Sequence, residues 1–150
     1  MDRAHAAAEQ EEVKTETGAQ DAAQKEQAQK EREALQARDR EVATQIKKLH
    51  GQWDRNKQEY KAVLRKSEVH KNTKGSQFEK DMQKAVEDGD KIDERLMSLL
   101  GQTLAGHILT DDEVKASVQE SGTLSELMKK TTKKKTVLNQ MLAIPAADED

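Results

Sequence analysis

Large apolar residues first recur regularly at Leu35, Val42, Ile46, Leu49, Trp53, Tyr60 and Val63. The intervals of 7, 4, 3, 4, 7 and 3 are those of a heptad seam, with Asp39 and Asn56 at the two positions that lack an apolar residue. Arg, Lys, Glu, Asp and Gln fill the other faces, which predicts a solvated helical rod of about 45 Å. Asn56 either fixes register and oligomer state or marks a seam too weak to close. The seam lapses from Ser67 to Ser76. There Asn72-Thr-Lys-Gly-Ser76 has turn chemistry, so residues 71–76 form a hairpin loop or a skip in one long helix, with a break favoured.

A second stripe follows at Phe78, Met82, Ala85, Gly89, Ile92, Leu96 and Leu99, again in steps of 4 and 3 but one residue out of phase with the first. Gly89 in that seam costs about 1 kcal/mol against alanine. Residues 101–109 hold two glycines and no acid, lysine or arginine, and read as a loop that buries Leu104, Ile108 and Leu109. Thr110-Asp-Asp-Glu113 matches a capping box and predicts a short helix to about Glu120. Ser121-Gly122 is expected to end it. Thr123-Leu-Ser-Glu126 then opens a second short helix to about Leu142, stopped by Ile144-Pro145.

Before the first seam, residues 1–30 carry seven acids and four bases among many Ala and Gln, and no apolar stripe. This arm is expected to be disordered alone and helical only with a partner. The whole chain of 150 residues has only three aromatics, Trp53, Tyr60 and Phe78, and 37% charged residues. Such a composition argues against an enclosed core and for long helices. The fold class expected is all-α: elongated coiled-coil helices with a small helical C-terminal element and no compact globular domain. Its parts are an arm over 1–30, a first coiled-coil helix over 31–70, the break at 71–76 and a second amphipathic helix over 77–101. A loop plus two short helices follow over 102–143, then an acidic tail over 144–150.

Chemistry is sparse. There is no cysteine, so no thiolate site or disulfide. His5, His50, His70 and His107 lack metal-binding spacing and are expected to face solvent or sit in loops. No nucleophile elbow, phosphate-binding glycine loop or dinucleotide fingerprint occurs, so neither an enzyme nor a cofactor or metal is expected. Asp111-Asp112-Glu113 fits a helix N-terminus better than a calcium loop. Leu96-Met-Ser-Leu99-Leu100 has the form of a co-regulator box, but such pentapeptides are common in packed amphipathic helices. Lys129, Lys130, Lys133, Lys134 and Lys135 form the sharpest charge feature, suited to an acidic partner such as tubulin's acidic tails or to a solvated helix end. Net charge is -3 and no aromatics interleave these lysines, which counts against nucleic acid. No apolar run is long enough for a membrane span, and Met1–His5 lacks the apolar core of a secretory signal, so a cytoplasmic place is expected.

Ile92-Asp-Glu-Arg-Leu96-Met-Ser-Leu99-Leu100, with Gly106-His-Ile-Leu109 and Asp111-Asp112-Glu113, resembles dynein heavy chains. The similar segment is helical and lies next to the fifth AAA+ module, near the strut that braces the stalk. Where that family has Gly-Asn-Ile-Leu-Asp-Asp-Glu-Glu, His107 replaces Asn and Thr110 is inserted before the acidic pair. Ser121-Gly-Thr-Leu-Ser125 stands at the family's Ser/Thr turn. The resemblance spans residues 90–128, and no nucleotide-binding module is expected with it. It implies a helix–loop–helix element or association with cytoskeletal and ciliary assemblies, and it carries over no catalytic residue.

The expected function is a non-enzymatic structural or docking subunit associated with microtubules or the axoneme. Leu35, Val42, Ile46, Leu49, Trp53, Tyr60, Val63, Phe78, Met82, Ile92, Leu96 and Leu99 would meet partner helices or a filament lattice. The five lysines would add attraction to an acidic surface. The alternative is a cytosolic, self-associating adaptor in trafficking or regulation.

Overall fold

The structure is a computed structural model that describes the backbone of residues 2–145 and the side chains of residues 18–145. The described backbone is helical, without strands: α1 (Asp2–Ser67), α2 (Gln77–Leu104) and α3 (Asp111–Ala143). The acidic tail expected over 144–150 lies outside the described residues beyond Pro145. Residues 1–38 and 39–150 form two units.

In the first unit, α1 is helical from Asp2, where the sequence predicts order only with a partner. Ala, Gln, Glu and Lys are strong helix formers, and this stretch extends an existing helix, so it incurs no nucleation cost. Exposed pairs one turn apart support it, among them Gln27–Glu31 at 3.3 Å, Gln29–Glu33 at 3.2 Å and Lys30–Glu26 at 3.6 Å.

In the second unit, residues 39–67 of α1 run antiparallel to α2: His50 meets Asp93, and Ser67 meets Glu79. α2 runs antiparallel to α3, as Arg95–Glu120 and Lys134–Asp81 show. The two seams therefore close on each other and on α3. Ile46, Leu49, Trp53, Tyr60, Met82, Ile92, Leu96, Leu124 and Leu138 form one buried cluster. The few aromatics do not prevent this core, because two of the three lie inside it: Trp53 is 1% and Tyr60 0% exposed, with ring centroids 6.2 Å apart.

Both connections are built from local polar chemistry. Between α1 and α2 there is a turn, not a skip. Gly75 takes φ +73, which its lack of a Cβ allows, and Ser76 caps α2 by accepting from the Glu79 amide at 3.2 Å. Buried Glu79 accepts in turn from the Ser67 hydroxyl and the Gly75 amide. Between α2 and α3, Gly106 takes φ +94 and the capping box of Thr110 and Glu113 forms as its sequence suggests. The buried Asp39 carboxylate accepts from the Leu109 amide at 2.9 Å and ties this loop to α1.

Two local expectations are corrected. α2 continues to Leu104, which is 70% exposed, so of the three apolar residues assigned to the loop core only Leu109 is fully buried. α3 is one helix, without the break expected at Ser121-Gly122. Ser117, Leu124, Met128, Thr131 and Leu138 form a single buried stripe across that point, and its burial outweighs about 1 kcal/mol of glycine penalty. The Thr123 hydroxyl, expected to cap, instead donates to the Gln119 carbonyl one turn back at 3.0 Å.

Candidate functional site

The residues from which the sequence predicts partner contacts are mostly turned inward. Ile46, Leu49, Trp53, Tyr60, Val63, Met82, Ile92 and Leu96 are buried by the chain's own helices, and Val42 and Leu99 pack against the same cluster. A partner is not needed to cover them, which corrects their assignment as contact residues. Only Leu35, at 38% exposure, and Phe78, at 41%, stay open. The Leu96–Leu100 pentapeptide likewise serves packing, since Leu96 and Leu100 are buried.

Gly89 of α2 lies directly against the Trp53 ring of α1. A Cβ there would lie 2.1 Å from the Trp53 ring. The indole Nε1 donates to Asp90 at 3.0 Å, and Lys57 pairs with the same carboxylate at 2.7 Å. One turn earlier on α1, His50 Nδ1 lies 2.8 and 2.9 Å from the two Asp93 oxygens, a partly buried pairing that spacing alone does not reveal. His107 pairs with Glu113 at 2.9 Å, and His70 accepts from the Asn72 amide at 3.1 Å. His70 and His107 sit in the two connections, as the sequence predicts, and His50 departs from that expectation as a half-buried residue within α1. His5 lies outside the described side chains. Among the described residues, no group of three or more His, Cys, Asp and Glu is arranged to hold a metal.

Tyr60 joins α1 to α3. Its hydroxyl donates to the Met128 carbonyl at 2.9 Å and lies 2.9 Å from the Thr132 hydroxyl. Asn56, the polar seam residue, donates to the Met128 sulfur at 3.2 Å and so contacts α3. Burial, more than any neighbouring charge, raises the Tyr60 phenol above its ordinary value of 10.0. A proton held more tightly in the fold gives stability that is complete below the unfolded value and lost as pH rises through the folded one. The bundle is therefore expected to weaken above pH 10, with tyrosinate absorbance appearing together with loss of helix; ionisation at an unshifted pH would contradict the buried phenol.

The lysine run is divided by the fold. Lys135 is paired with Glu59 of α1 at 2.7 Å, which lowers the Glu59 carboxyl through that hydrogen bond, and Lys134 lies 3.9 Å from Asp81 of α2. These two belong to the bundle's own helix contacts. Lys129, Lys130 and Lys133 are exposed, and among the described residues only Lys129 of the three makes an ion pair, with Glu126 at 3.6 Å. All three line an open groove between α1 and α3, together with Gln52, Asn56, Ser125 and Thr132. Chemically, this groove offers ammonium and neutral hydrogen-bonding groups. Among its lining residues the only acid is Glu126, and none is a nucleophile held by a base.

No helix of the described residues is long and apolar enough to cross a membrane. No protein-family model, curated protein or solved structure matches this chain.

Proposed function

We propose that this chain is a non-enzymatic docking subunit that carries a basic helical face to an acidic protein surface, in association with microtubules or the axoneme. The observation that carries the reading is the division of the lysine run. Two lysines are used inside the bundle, while Lys129, Lys130 and Lys133 project from one side of α3 into an open groove. Acidic tubulin tails supply the complementary charge, and the dynein-like residues 90–128 point to the same cytoskeletal setting. In this reading residues 18–35, exposed along their whole length, serve as a coiled-coil extension for partner helices, with Leu35 as their apolar contact.

Cosedimentation with microtubules tests it. Binding is expected at low salt, weakening as salt rises, because three exposed ammonium groups are screened over a Debye length of about 8 Å at physiological ionic strength. Changing Lys129, Lys130 and Lys133 together to Gln should abolish the salt-sensitive part, whereas changing Lys134 should leave it largely intact. No pelleting at either salt removes the microtubule reading. The second reading, a self-associating adaptor, draws on Leu35 and Phe78, which stay open at seam positions. Analytical ultracentrifugation that finds oligomers dissolved by Leu35→Glu or Phe78→Glu would favour it.

A further inference from the structure

The two walls of the α1–α3 groove are ladders of matching pitch. Ser125, Lys129 and Lys133 stand four residues apart on α3, and Gln52 and Asn56 stand four apart on α1, all lining the same groove. Four residues of helix rise about 6.0 Å. Alternate residues of an extended chain are about 6.6 Å apart and point the same way. Lysine side chains easily absorb the difference.

We propose that the groove binds an extended acidic segment of a partner protein, with alternate carboxylates on Lys129 and Lys133 and its backbone amides against Gln52 and Asn56. This rests on the docking reading above and deepens it by stating what the basic face recognises. Lys130, which also lines the neighbouring surface depression with Ser125 and Glu126, would steer the acidic chain towards the groove. Glu126 sits beside Lys129 and sets one end of the site, since it repels a carboxylate there. A nucleic-acid strand also carries regularly spaced anions, but no aromatic lines this groove for bases to stack on; Trp53 and Tyr60 are both buried. An anionic membrane would favour exposed apolar side chains beside the lysines, and the one apolar residue of the lining, Met128, is buried.

The test is fluorescence anisotropy on the full chain with two labelled peptides of equal composition. One alternates Glu and Ala; the other gathers its Glu residues in a block. The alternating peptide is expected to bind more tightly. Lys129→Gln with Lys133→Gln should weaken it by about tenfold through lost charge pairs. Gln52→Ala with Asn56→Ala should weaken it by about threefold without changing the salt slope, since only neutral hydrogen bonds are lost. Lys84→Gln with Lys91→Gln, exposed on α2, which contributes no residue to the groove lining, is the charge control and should change little. Circular dichroism on each variant checks that the helices persist. Equal binding of the two peptides, or an equal loss in the Lys84/Lys91 control, overturns the groove as the reader of spacing. Tighter binding of a labelled oligonucleotide or of phosphatidylserine vesicles assigns the basic face to that partner class instead. Peptide binding without microtubule pelleting would sink the lattice reading while the groove stands; pelleting without peptide binding would do the reverse.

Discussion

Replacing Gly89 by Ala is expected to destabilise the bundle by about 2–3 kcal/mol, although alanine is the better helix former. The new methyl carbon would sit 2.1 Å from the Trp53 ring, with two further ring atoms at 2.4 and 2.7 Å. Trp53 cannot retreat, because it is buried and its indole nitrogen is bonded to Asp90. The α1 and α2 backbones must separate, or the ring must leave its place. The contrast lies in other helical glycines. At Gly51, Gly101 and Gly122 an added methyl would meet nothing within 4 Å, so alanine at each should stabilise by about 0.5–1 kcal/mol. Chemical denaturation of the four variants measures this directly. In a Trp53→Leu background the ring is gone, and Gly89→Ala should lose its penalty. A neutral Gly89→Ala in the native background would mean that the ring and the backbone are not in contact as described.

Tyr60→Ala is the second large effect, expected to cost about 3–5 kcal/mol as a truncated buried aromatic. The ring fills the space between α1 and α3, and its hydroxyl is bonded to the Met128 carbonyl and the Thr132 hydroxyl. Tyr60→Phe separates the two contributions and should cost about 1–2 kcal/mol for the hydroxyl alone. If Tyr60→Phe costs as much as Tyr60→Ala, hydrogen bonding rather than packing holds α3 to α1. The two comparisons also serve the functional reading. The groove needs α3 held beside α1, so Tyr60→Ala should weaken acidic-peptide binding with every groove residue still present.

How far the chain can be read from its residues differs by feature. The two apolar stripes and the capping box at Thr110 are local periodic signals, and spacing alone places them. What local spacing does not contain is the destination of a stripe. Two seams one residue out of phase are equally consistent with meeting a partner and with meeting each other, and a third stripe on α3 decides between these. That stripe is obscured because Ser121-Gly122 carries breaker chemistry, while Leu124, Met128 and Leu138 are only joined into one face by burial. The polar clips are hidden for a similar reason. Asp39 and Leu109, or His50 and Asp93, are brought together from 70 and 43 positions apart by the fold. In the candidate site the lysines stand out as a charge run, but their division does not. Glu59 and Asp81, which occupy Lys135 and Lys134, lie on other helices.

Trp53 is the chain's single tryptophan, and it is wedged against Gly89 between two helices with Tyr60 beside it. The molecule thus contains its own optical gauge of inter-helix closure, readable without any attached dye. A ligand that merely rests in the lysine-lined furrow should leave the emission colour unchanged. One that pries the first two helices apart should shift it to the red.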